Sequence, residues 1–60
     1  MSYNTRKVVI WEEAPGIADY RWFIPKYIGE KTVYFQTLEE AKSFCTKNGV
    51  EFSVEHYQPT

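Results

Sequence analysis

The fold is decided by one stretch of the chain, Thr32-Val33-Tyr34-Phe35-Gln36-Thr37-Leu38-Glu39-Glu40-Ala41. In its first half, Val33 and Phe35 alternate with more polar residues, which is the period of a half-buried β-strand. Thr37 and Glu40 then have the spacing of a capping box, in which each side chain accepts a backbone N–H at a helix start. The stretch therefore predicts a strand that runs directly into a capped helix.

The end of this helix and the other elements follow from similar signals. Lys47-Asn48-Gly49 supplies a cation in the last turn and a glycine that can take positive φ, so the helix is predicted at about residues 38–47. Strands are predicted where β-branched and aromatic residues cluster, and they comprise residues 7–13, 20–24, 32–36 and 51–57. Pro25 is expected to stop the second strand, because proline cannot donate to a sheet ladder.

The order β-β-β-α-β predicts an α+β fold, a single-layer four-stranded sheet with one helix packed on one face. A single small domain is expected over residues 1–60, with an ordered core at about 6–57. The helix should pack through Leu38, Ala41, Phe44 and Cys45. The strand residues predicted to face it are Val8, Ile10, Tyr20, Trp22, Ile24, Val33, Phe35, Phe52 and Val54.

Composition limits the classes of function. The chain has 60 residues, a formal net charge of −1, one cysteine and one histidine. A disulfide within the monomer and a Cys/His metal cluster are therefore excluded, and the basic excess typical of nucleic-acid binders is missing. We expect no cofactor and no metal. No apolar run approaches the roughly 20 residues that span a bilayer and no signal peptide is recognised, so a cytoplasmic protein without a membrane partner is expected.

Catalysis is not expected either. Cys45 with His56 would be a nucleophile and base, but Cys45 falls on the inward stripe of the helix, where buried thiols are inert. No third orienting group and no glycine-rich loop accompanies them. Glu12 and Glu13 are adjacent in a strand, so their side chains point to opposite faces and cannot share a proton. The chain is therefore expected to be a binding protein and not an enzyme.

The sheet face that the helix leaves uncovered is the candidate site. Alternation places aromatic rings there, and Trp, Tyr and Arg are enriched at interface hot spots. The predicted partner-binding residues are Trp11, Arg21, Phe23, Tyr34 and Tyr57, with an acidic rim of Glu12, Glu13 and Asp19. Three alternatives stay open: rings that only stabilise the sheet, at about 0.2–1 kcal/mol for each cross-strand pair, a homodimer seam, and an inverted second strand that exposes Trp22.

Two segments resemble small podophage proteins that inhibit host RNA polymerase. These are residues 37–41, Thr-Leu-Glu-Glu-Ala, and residues 50–54, Val-Glu-Phe-Ser-Val. The resemblance implies a compact sheet-plus-helix wedge that presents acidic and aromatic residues to a large enzyme. The expected function is then that of a phage-type host-takeover factor, which docks on a larger host protein, such as the transcription machinery, and inhibits or modulates it in the host cytoplasm.

Other segments resemble two further families of docking proteins. Ile24-Pro25, Gly29 and residues 37–41 resemble HicB-type antitoxins, in which a partial ribonuclease-H-like sheet binds a toxin. Residues 35–41 and 47–55 resemble the C-terminal part of the small accessory iron–sulfur-type subunit of respiratory complex I. A fourth alternative is an RNA-binding module that uses the same aromatic face with flanking Lys and Arg residues, since RNA-stacking platforms combine rings with cations.

Overall fold

The computed structural model describes residues 6–16 and 19–59. Its strands are β1 (Lys7–Glu12), β2 (Trp22–Ile28), β3 (Lys31–Phe35) and β4 (Glu51–Glu55), and the helix α1 is Leu38–Lys47. The strands form one mixed sheet with the spatial order β3-β2-β1-β4. The predicted α+β class, with the element order β-β-β-α-β, is confirmed.

The connection from β3 to β4 explains how a helix comes to cover the sheet. β1 pairs antiparallel with β2, and β2 pairs antiparallel with β3. β4 pairs parallel with β1 and lies at the opposite edge from β3. Because a parallel return needs a crossover, the chain must pass over the sheet between β3 and β4. The helix α1 makes that passage and contacts β2, β3 and β4 on one face.

The helix begins and ends as the sequence predicts. The Glu40 N–H donates to the Thr37 hydroxyl oxygen at 3.2 Å, and the Thr37 N–H donates to the Glu40 carboxylate at 3.2 Å. This is a complete capping box. At the other end, the Asn48 backbone N–H and side-chain amide donate to the Phe44 carbonyl at 3.1 and 2.7 Å. Gly49 follows with φ of +66°, a conformation that glycine adopts without steric cost.

The core lies between α1 and the sheet face beneath it. Its buried residues are Ile10, Trp22, Ile24, Tyr27, Ala41 and Cys45. Partly buried side chains surround them: Val8, Val33, Phe35, Leu38, Phe44, Val50, Phe52 and Val54. Every residue of the predicted inward set belongs to this core except Tyr20. Because Trp22 is buried and Phe23 is not part of the core, the inverted register of β2 is excluded.

The prediction that Tyr20 faces the helix is wrong. β2 begins at Trp22, so the alternation of a regular strand does not extend back to residue 20. The Tyr20 ring instead lies against Tyr34 and Phe23, with centroid distances of 4.3 and 5.9 Å. β1 and β4 are also shorter than predicted, since they end at residues 12 and 55.

The prediction that Pro25 stops β2 is also wrong. The strand continues to Ile28 through an irregularity between the pairs Ile24–Val33 and Ile28–Lys31. Three residues of β2, 25–27, there lie opposite one residue of β3. Such bulges are one of the places where a sheet tolerates proline, because the extra residues need no ladder partner.

The same irregularity brings Tyr27 into the core, where the sequence did not predict it. The Tyr27 ring meets the edge of Phe44 at a centroid distance of 5.0 Å. The guanidinium carbon of Arg6 lies 4.2 Å from the Tyr27 ring centroid, which is a cation–π contact. The irregular part of β2 therefore adds a ring to the core and holds a cation at the start of β1.

Candidate functional site

The sheet face opposite α1, the open face, carries three aligned rings, Trp11, Phe23 and Tyr34, which we name the aromatic row. Trp11 of β1 pairs with Phe23 of β2, and Phe23 pairs with Tyr34 of β3. Each ring adjoins a core residue in its strand, so alternation turns it away from α1. Trp11 is 42% exposed, Tyr34 is 53% exposed and Phe23 is half-buried. The row thus crosses three neighbouring strands without a covering element among the described residues.

Tyr20 extends the aromatic row at its β3 end and was not among the predicted site residues. Desolvation raises the pKa of its hydroxyl, and the nearby Glu13 carboxylate raises it further. The hydroxyl therefore stays protonated and can donate a hydrogen bond. A shallow cleft of about 360 Å³ opens beside the ring, lined by Asp19, Tyr20, Tyr34, Phe35 and Gln36. Alternation assigns Tyr20 to the helix face instead, because the sequence pattern does not show that the regular strand begins only at Trp22.

The Glu12 carboxylate joins three parts of the chain in a group that we name the Glu12 clamp. Its Oε2 accepts from Arg21 Nε at 3.0 Å and lies 2.9 Å from Arg21 Nη2. Its Oε1 accepts from the Tyr57 backbone N–H at 3.1 Å and lies 3.4 Å from His56 Nδ1. The bond from Tyr57 and the Arg21 guanidinium hold the pKa of the Glu12 carboxyl below its usual value. The clamp thus fastens the segment after β4 to the ends of β1 and β2.

The clamp places Tyr57 at the Trp11 end of the aromatic row. His56 also packs edge-on against Trp22, with a centroid distance of 5.6 Å, so the segment is held at two points. Tyr57 follows and is 43% exposed. A cleft of about 270 Å³ is lined by Trp11, Glu12, Glu55, His56, Tyr57 and Gln58. Two predicted contact residues, Trp11 and Tyr57, therefore border one concave surface.

The charged residues predicted for the site, Arg21 and three acidic residues, lie in two separate places. Arg21 and Glu12 bind each other, and the Glu12 side chain is only 14% exposed. Asp19 is exposed beside Tyr20, and Glu13, near the Tyr20 hydroxyl, accepts the Ala14 N–H at 3.4 Å. Two acidic residues thus border the Tyr20 end of the row, while the third organises the clamp. That these residues contact a partner stays a prediction.

The inward position predicted for Cys45 is confirmed, since its exposure is 0%. Burial raises the pKa of the Cys45 thiol, which keeps it in the less nucleophilic protonated form. His56 is bound to Glu12. Among residues 6–16 and 19–59, no group of three or more His, Cys, Asp or Glu side chains is arranged to hold a metal ion.

Comparison of the chain with protein-family models, with curated proteins and with solved structures found no significant match. The three family resemblances of short segments stay predictions. No helix in the described part of the chain is long and apolar enough to cross a membrane. The geometry of the open face is thus the ground on which a function can be proposed.

Proposed function

We propose that this is a small non-catalytic binding protein that docks on a larger protein through the aromatic row and modulates it. The observation that carries the proposal is the alignment of Trp11, Phe23 and Tyr34 on an uncovered face. Contiguous exposed apolar surface on a small domain is typical of interaction sites. Trp and Tyr also give large contact areas with only two side-chain torsions to immobilise.

The charges around the row favour a protein partner over RNA. Glu55 of β4 is the neighbour of Trp11, and Glu13 and Asp19 border the Tyr20 end. Carboxylates beside stacking rings repel phosphates, whereas single-stranded RNA platforms have a continuous basic track along the bound backbone. One feature supports the RNA alternative, a group of cations near Trp11, but it lies at one end of the row only.

The homodimer alternative has a direct test. A dimer formed through the open face would bury Trp11 against its twin, so sedimentation velocity should show a concentration-dependent dimer that Trp11→Glu dissociates. We expect a monomer for both proteins, because carboxylates lie at both ends of the row and would be brought together by a face-to-face copy. If the wild-type protein is a dimer and the variant is a monomer, a homodimer seam replaces docking on a larger protein as the function of the open face.

A host-takeover role in the cytoplasm is the more specific form of the proposal. It is supported by the resemblance of residues 37–41 and 50–54 to podophage inhibitors of host RNA polymerase. Purified bacterial RNA polymerase is therefore the first candidate partner to test.

Site-specific photo-crosslinking tests the proposal. A photoreactive phenylalanine analogue replaces Tyr34 on the open face, and the matched control replaces exposed Glu39 on α1. We expect adducts with one protein from position 34 and none from position 39. Trp11→Ala should abolish the adduct and weaken binding to that protein by about 2 kcal/mol or more, the scale of interface hot spots. If only position 39 gives adducts, the partner binds the helix side of the protein and the proposal is contradicted.

A further inference from the structure

A cleft opens between β1 and β2 at the Trp11 end of the aromatic row. The two strands pair at Glu12–Trp22 and Trp11–Phe23. Continuing that register would place Pro25 opposite Val9, and proline has no N–H to give to the ladder. The recorded pairing of β1 and β2 goes no further than Trp11–Phe23, and the cleft beyond it has a volume of about 270 Å³. We name it the basic cleft; its lining includes Arg6, Lys7, Val9, Trp11, Pro25 and Lys26.

The basic cleft is lined by three cations and by no acidic side chain. None of the three forms an ion pair with an acidic residue of the described chain, although Glu51 is the β4 neighbour of Lys7. Arg6 is engaged with the core ring of Tyr27, which leaves Lys7 and Lys26 as the cations available to a ligand. Lys26 has φ of +51°, and non-glycine residues in this conformation are enriched at ligand sites. In a chain of net charge −1, the cleft is a local concentration of positive charge.

We propose that the basic cleft binds a carboxylate of an acidic peptide segment in the partner, and that this contact orients the segment so that its next apolar residues meet the aromatic row. The inference rests on the proposed function. Trp11 lines the cleft and is also the first ring of the aromatic row, so the positively charged cleft lies next to the apolar row. Residues two apart in an extended peptide lie about 7 Å from each other on one face. Val9 of the cleft and Trp11 of the row are also two residues apart in β1, so a glutamate and the next apolar residue on its face of the peptide can reach both.

The same charges disfavour a nucleic acid in the cleft. A single carboxylate meets only the cations of the cleft, whereas an RNA strand carries a charge at every nucleotide. An RNA strand that continued along the row would bring its phosphates toward Glu55 and then toward Glu13 and Asp19. The peptide segment avoids this repulsion because its remaining residues on that face are apolar.

The test uses capped seven-residue peptides in which one glutamate and two tryptophans alternate with threonines, and matched peptides with glutamine in place of glutamate. Binding is followed by amide chemical shifts of the protein at low and high salt. We expect the glutamate peptide to shift Lys7, Val9 and Lys26 and to bind several-fold more tightly than the glutamine peptide. Lys7→Gln with Lys26→Asn should weaken the glutamate peptide roughly five-fold, the scale of two exposed ion pairs, and leave the glutamine peptide unchanged.

The matched control replaces two lysines of α1, Lys42→Gln with Lys47→Gln, and should change neither affinity. Equal affinity for the two peptides, with shifts confined to the aromatic row, would overturn the cleft assignment and leave the proposed function standing. Absence of shifts with millimolar peptide would also overturn it, while the cross-link from position 34 decides the proposed function separately. Oligouridylate is tested in the same way. If it binds the cleft more tightly than the glutamate peptide and its affinity falls steeply with salt, both the cleft assignment and the proposed function are rejected in favour of RNA binding.

Discussion

The two faces of the sheet contain similar residues but have different surroundings. On the helix face, Trp22 is 9% exposed and Ile24 is 2% exposed, whereas on the open face Trp11 is 42% and Tyr34 is 53% exposed. Both faces are rich in rings, so aromatic content does not separate core from site. What separates them is the presence of α1 above one face. A ring on the helix face therefore acts mainly on stability, and a ring on the open face is available for binding.

The sharpest test of this comparison uses the two tryptophans. Trp22→Ala should lower the free energy of unfolding by about 3–5 kcal/mol, because it leaves a cavity under α1, and so small a domain would be largely unfolded. Trp11→Ala should lower it by less than about 1 kcal/mol, the scale of a cross-strand pair. Urea unfolding followed by circular dichroism measures both. A similar loss for the two variants would mean that Trp11 belongs to a core.

A second test removes a ring from the helix side of the core. Phe44 contacts Tyr27 and Phe35 at centroid distances of 5.0 and 5.3 Å. Phe44→Ala should destabilise the protein by about 2–3 kcal/mol, somewhat less than a fully buried ring, because Phe44 is half-buried. Thermal unfolding of this variant is compared with exposed Ser43→Ala, which should melt like the wild type. An unchanged melting temperature for Phe44→Ala would contradict the packing of α1.

A smaller effect is expected from the helix cap. Thr37→Ala removes the hydroxyl that accepts the Glu40 N–H and should cost about 1 kcal/mol of stability. The control is Thr46→Ala in the last turn of the same helix, where the residue is exposed. Denaturant unfolding of the pair shows whether the cap contributes. If Thr37→Ala and Thr46→Ala are equally stable, the cap does not contribute to the stability of α1 on the sheet.

The Glu12 clamp should make stability depend on pH. Its donors lower the pKa of the Glu12 carboxyl in the folded state below its usual value, so the stability that the clamp contributes is fully present above that usual pKa and is lost as pH falls through the folded pKa. In Glu12→Gln, the free energy of unfolding should therefore fall less steeply than in the wild type as the pH is lowered into the acid range. Glu13→Gln, which leaves the clamp intact, is the control. The Tyr57 amide resonance should move with the same titration; a pH-independent resonance would argue against the bond.

Features set by neighbouring residues could be predicted from the sequence. The capping box needs only Thr37 and Glu40, and the inward set follows from alternation within regular strands. The open face followed in turn, because fixing the inward residues leaves Trp11, Phe23 and Tyr34 on the other side. These parts of the fold and of the site depend on local chemistry alone.

Features set by distant contacts could not be predicted. Local rules predict a strand end at Pro25 because proline cannot donate to a ladder, but the bulge accommodates the proline and carries Tyr27 into the core. The role of Glu12 depends on Tyr57, which is 45 residues away in the chain. Tyr20 joins the open face because its strand begins two residues later. In each case the deciding partner lies outside the local pattern.

The position of Cys45 gives the protein an internal chemical reporter. This thiol is the only cysteine of the chain and has no exposure beneath α1, so an alkylating reagent reaches it only when the helix lifts from the sheet. The alkylation rate then measures how often that opening occurs. Any molecule that tightens the sheet from the opposite side would slow the modification of a sulfur that it never touches.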